Sequence, residues 1–124
     1  MIERLKKRRD FVAAAKGPKA ARRAFVLETR RRDDEGAPRL GFTVSKRAAK
    51  KAVERNRIRR RLKEAVRLAA PGRVRPGCDY VVVGRRGALT ESFAALEADL
   101  AAALAAALRG LHLREGAEPP GRSR

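Results

Sequence analysis

Apolar and polar residues alternate with a period of two in two short stretches. In one, Phe25, Leu27 and Thr29 stand against Val26 and Glu28; in the other, Leu40, Phe42 and Val44 stand against Gly41, Thr43 and Ser45. That period is the signature of a half-buried strand. The polar run Arg32 to Pro38 lies between them, so the pair predicts a hairpin with a loop longer than the tightest type. A period near 3.6 takes over in residues 52–70, where Ile58, Leu62, Ala65, Val66 and Ala69 fall on one helical face. Arg57, Arg60 and Arg67 fall on the other, flanked by Asn56 and Lys63, and Pro71-Gly72 stops the helix. Residues 3–15 read as a shorter helix carrying Leu5, Phe11 and Val12, ended by Gly17-Pro18. Asp79 to Gly84 is a β-branched run expected to be a buried strand. Phe93 to Leu111 repeats apolar residues at steps of three and four, as a core helix does.

The order helix, strands, helix, strand, helix predicts an α+β fold. It is expected as a two-layer sandwich, with helices packed on a four-stranded, mostly antiparallel sheet. At 124 residues the chain has room for one modest core. Residues 1–113 are expected to form a single α+β domain. Residues 114–124, with Pro119-Pro120 and no apolar periodicity, read as a disordered tail.

Charge turns this outline toward a function. The net charge is +18, and residues 1–75 hold 26 of the 32 Lys+Arg against 8 of the 14 Asp+Glu. Such an excess repels itself in a compact state and points to a polyanionic partner. Between Ser45 and Lys63 stand Lys46, Arg47, Lys50, Lys51, Arg55, Arg57, Arg59, Arg60, Arg61 and Lys63, with only Glu54 to offset them. A merely solvated helix mixes signs to gain pairs four residues apart. This one does not, and its arginines suit bidentate phosphate contacts. Nucleic-acid binding is the expectation.

Other chemistry finds little support. Asp33-Asp34-Glu35 before Gly36 reads as a turn rather than a metal site, whose ligands usually come from separate segments. His112 is the only histidine, and Cys78, the only cysteine, reads as a small buried residue. No nucleophile–base pair is in sight. An unpaired cysteine fits a reducing compartment, and no apolar run is long enough for a signal-peptide core or a bilayer span. A cytoplasmic protein without membrane contact is expected. Five aromatics are too few for a base-stacking sheet of the RRM type.

Within the basic stretch, Lys51-Ala-Val-Glu-Arg-Asn-Arg-Ile-Arg-Arg resembles the Arg-Asn-Arg signature of the bacterial ribonuclease P protein component. Arg4-Leu-Lys-Lys with Asp10-Phe11 resembles that family's first helix, Leu40-Gly-Phe-Thr-Val-Ser-Lys-Arg its strand before the basic helix, and Asp79-Tyr-Val-Val-Val-Gly-Arg its last strand. The likeness spans residues 4–110 in order. It implies a left-handed crossover through the basic helix and a holoenzyme whose RNA subunit performs Mg²⁺-dependent removal of the 5′ leader of precursor tRNA. The protein's implied partners are that catalytic RNA and precursor tRNA, and its implied tasks include strengthening metal binding. The matching positions imply that Arg55, Asn56, Arg57, Arg59, Arg60 and Lys63 face RNA, while Phe11 and Val26 line a leader groove. Ala15 and Glu28 stand where the family often has aromatics, which leaves stacking mainly to Phe11. The rival reading is a small basic ribosomal protein or other structural RNA-binding protein.

Overall fold

The computed structural model describes residues 2–117, with side chains through Gly110; the side chain of His112 and the remainder of the expected tail, 118–124, lie outside the described residues. In chain order the elements are β1 (Glu3–Arg4), α1 (Arg8–Ala15), β2 (Lys19–Ala21), β3 (Phe25–Arg31), β4 (Arg39–Thr43), α2 (Ala52–Ala69), β5 (Cys78–Gly84) and α3 (Phe93–Ala117), with a 3₁₀ turn at Arg86–Leu89. The last helix runs past its expected end at Leu111, and Ser92 caps its start by accepting the Ala95 N–H at 3.1 Å.

The sheet has five strands in the order β1-β4-β5-β3-β2. It is mixed, which corrects the expected four-stranded, mostly antiparallel sheet: β1 and β5 both run parallel to β4, while β3 pairs antiparallel with β5 and β2. The expected β3–β4 hairpin does not form, because β5 inserts between the two strands. The reason is burial. Six of the seven β5 residues are buried, so the strand is covered on both faces and needs a partner at each edge. Its neighbours become β3 and β4, and β4–α2–β5 forms a βαβ unit.

Residues 3–4 are strand rather than the start of the first helix, pairing with Arg39 and Leu40. Helices cover both faces of the sheet, not one. On the first face, Phe25, Leu27, Tyr80 and Val82 pack under Ile58, Leu62 and Val66 of α2 and Leu96, Leu100 and Leu104 of α3. On the second face, α1 forms a smaller cluster in which Leu5, Ala14 and Val81 are buried and Phe11 and Val83 are partly so. Gly84 allows the α2 approach on the first face, since a Cβ there would stand 2.7 Å from the Ile58 side chain.

Candidate RNA-binding surface

Two surfaces carry the expected RNA-binding residues. The outward face of α2 is one. Asn56, Arg57, Arg60 and Lys63 are exposed and Arg59 is half-buried, donating to the Asn56 side-chain oxygen at 3.0 Å. Asn56, Arg59, Arg60, Lys63 and Arg67 line one shallow groove along the helix. Lys63 lies 5.9 Å from the centre of the Phe42 ring, a cation–π distance that steadies its stem. Lys46, Arg47, Lys50 and Lys51 are exposed in the segment leading into α2.

Two arginines of this helix have structural work. Arg55 folds back, and its NH1 donates to the carbonyl oxygens of Ala49 at 2.9 Å and Lys50 at 2.7 Å. That holds the loop ahead of the helix. Arg61 reaches the opposite way, donating to the carbonyl oxygens of Ala88 and Glu91 and tying α2 to the 3₁₀ turn.

The second surface is the part of the sheet that α1 leaves uncovered. Val26 sits there, half-buried, opposite Val83 on β5. Both border an open depression with Ser45, Arg47, Arg85 and Arg86. Phe11 stands on the same sheet face, its ring so close over Gly41 that a Cβ there would lie 2.6 Å from the ring. Phe11 and Val26 border different depressions, and Val83 is the link: it packs in the Phe11 cluster and lines the Val26 floor. Thus Phe11 is at once a packing residue of α1 and a wall of its own depression, which Arg59 and Lys63 of α2 also line. Glu28 is half-buried on this face and pairs with Lys19 at 3.5 Å, and Ala15 is exposed.

Val83, Arg85 and Arg86 were not legible as site residues. In an unbroken apolar run such as VVV, period alone does not say which residue faces which way. Register with β3 does: Val83 opposes Val26, so it shares that face.

The acidic turn resolves as structure. Arg32 donates to Asp34 at 2.9 Å, and Asp34 also accepts the Gly36 N–H at 2.8 Å. The Arg32 guanidinium, with the Gly36 amide, holds the Asp34 carboxyl down at about 2. Cys78 is buried, which pushes its thiol above the ordinary range. Among the described residues, no group of three or more His, Cys, Asp or Glu side chains could hold a metal ion. Among them, too, no helix is long and apolar enough to cross a membrane.

A basic helix beside an open, cation-rimmed sheet floor fits the family suggested by the motifs. The ribonuclease P family model matches residues 2–108. The chain belongs to the ribonuclease P protein family. The ribonuclease P protein component of Caulobacter vibrioides is 47% identical over 104 residues, covering 83% of this chain and 69% of its own. That of Brucella suis is 43% identical over 107 residues, covering 80% and 75%. Among solved structures, the Staphylococcus aureus RNase P protein superposes with a TM-score of 0.68 at 30% identity, covering 84% of this chain and 94% of its own. The Thermotoga maritima RNase P protein gives 0.68 at 28% identity, covering 84% and 96%. Family membership sets the ribosomal-protein reading aside. It makes this chain a ribonuclease P protein component in tRNA processing.

Proposed function

We propose that this chain binds the catalytic RNA of ribonuclease P through the outward face of α2 and holds the 5′ leader of precursor tRNA on the open sheet floor beside α1. The observation that carries the reading is the adjacency of the two surfaces. Arg47 borders the floor with Val26 and Val83, and Lys46, Lys50 and Lys51 lie exposed in the segment that leads from there into the basic helix. A strand of RNA leaving the α2 face would meet cations for its phosphates first, then apolar side chains for its bases. Such contacts read phosphate and ring faces, which suits leaders of varying sequence.

Cleavage itself is assigned to the RNA subunit. As the family resemblance implies, Mg²⁺ takes its ligands mainly from that RNA. The protein's contribution to metal binding is indirect: its cations neutralise crowded phosphates and let the RNA keep the fold that binds the ion. The resemblance also carries a left-handed sense for β4–α2–β5, against the general right-handed preference. A cytoplasmic setting follows from this role.

The test incubates precursor tRNA and Mg²⁺ with protein alone, with catalytic RNA alone, and with both. Protein alone is expected to be inert, and the pair to cleave at the mature 5′ end at a lower Mg²⁺ concentration than RNA alone. Specific cleavage by stringently repurified, RNA-free protein would overturn the assignment.

A further inference from the structure

The α1 helix has only eight residues, and just two of them, Asp10 and Ala14, are buried. Its N-cap residue, Lys7, makes no side-chain capping hydrogen bond. So short a helix with so little buried apolar surface needs another anchor. The sheet supplies one from beneath. Asp79 on β5 has a fully buried carboxylate that accepts two bonds from Arg39, Nε to Oδ1 and NH2 to Oδ2, each 2.8 Å, and one from Arg32 at 2.6 Å. Arg30 approaches the same carboxylate at 3.6 Å. Arg30 and Arg39 then reach up to Asp10, at 3.3 and 3.5 Å. Two arginines from two strands are each shared between the carboxylate in the sheet and the carboxylate on the helix.

We infer that Asp10 and Asp79, joined through Arg30 and Arg39, are positioning residues that set where α1 lies on the sheet and thereby aim the Phe11 ring along the leader groove. The chain of cause is short. Asp10 is the residue before Phe11, and the Phe11 ring rests on Gly41 of the strand that also carries Arg39. A buried ion network contributes little net stability compared with apolar packing, because desolvation offsets its attraction. What it can supply is a single seating for a helix whose few apolar contacts would tolerate several. This inference rests on the leader-groove reading, and the experiment separates the two.

Ribonucleoprotein reconstituted from the full chain and its RNA would be tested for affinity toward precursor tRNA with a full leader and with a one-nucleotide leader. Five proteins are compared: the parent, Asp10→Asn, Asp10→Glu, Phe11→Ala, and the Asp10→Asn/Phe11→Ala double variant. Asp10→Asn is expected to weaken long-leader binding about five- to tenfold, with the one-nucleotide leader changed less than about twofold, a loss within the range of one stacked base. Asp10→Glu should recover most of it. The double variant should lose no more than Phe11→Ala, because both act through one ring. Hydrogen exchange should quicken in α1 of Asp10→Asn and not in α2 or α3, so a globally loosened fold would be recognised. If Phe11→Ala discriminates the leaders and Asp10→Asn does not, or if their losses add, the positioning role fails while the groove stands. If Phe11→Ala affects both substrates alike, groove and positioning role fall together.

Discussion

The two faces of the sheet are built on opposite plans. The face under α2 and α3 is dry: Phe25, Leu27, Ile58, Leu62, Tyr80, Leu96 and Leu100 are all at most 1% exposed, and apolar side chains fill the space between helices and sheet. The face under α1 is half covered. Where it is covered, a carboxylate–guanidinium network shares the work with a small apolar cluster. Where it is open, Val26 and Val83 lie half-buried beside cations. The dry face binds elements irrespective of direction, since apolar burial is non-directional. The ionic face binds α1 in one geometry, because charged hydrogen bonds are directional. Fold stability therefore belongs to one side of the sheet and placement of the functional groups to the other, with α2 serving both through its two faces.

The sharpest way to break this comparison is Leu62→Ala. Leu62 is 1% exposed in the dry core, so its truncation is expected to cost roughly 2–5 kcal/mol in denaturant unfolding. RNA affinity per folded molecule should be unchanged. A variant that kept its stability and lost RNA would show that the two faces of α2 are not independent.

Arg57→Ala with Arg60→Ala should do the reverse. Both side chains are exposed, so folding stability should move by less than about 0.5 kcal/mol. Affinity for the catalytic RNA should drop, and the dependence of log affinity on log salt should flatten by about 0.7–0.9 for each phosphate contact removed. Arg55→Ala sharpens the contrast: it frees the Ala49 and Lys50 carbonyl oxygens, so the loss should appear in stability, at about 1 kcal/mol. An unchanged salt slope in the double variant would place the RNA elsewhere.

The smallest effect is invisible at neutral pH. Burial alone would push the Asp79 carboxyl up, but the hydrogen bonds from Arg39 and Arg32 outweigh it and hold the group below the ordinary carboxylate value. A lowered carboxylate contributes stability above its unfolded value, about 3.9, and loses it as pH falls through the lower folded one. The thermal midpoint of the parent should fall more steeply below about pH 4 than that of Asp79→Asn. Parallel curves would show that the network is not linked to folding in that range.

Residues whose neighbours lie within a few positions in sequence were the readable ones. The 3.6 period of Ile58, Leu62 and Val66 marked α2 and its buried side, and the cations opposite them marked the RNA-facing side, because helix faces follow from spacing alone. The β3 and β4 strands were readable for the same reason. Their pairing was not, since alternation tells a strand which face is buried but not which strand lies beside it. The N-terminal residues Glu3 and Arg4 carry no strand signal of their own; they are extended because β4 offers an edge.

What the sequence by itself determined is therefore the set of local periods, the concentration of charge in residues 1–75 and, through the Arg-Asn-Arg helix in its order of motifs, the family. What only the tertiary structure decided is which distant residues meet. Asp79 lies 69 positions from Asp10 and Arg39 lies 29 from it, yet the three converge on one ionic seat for α1. Val83 joins Val26 through the β3–β5 register, and Phe11 meets Gly41 through the placement of α1. None of these partners leaves a periodic trace, because an ion pair or a ring contact needs one residue at one place, whereas a helix or strand repeats its requirement every few residues.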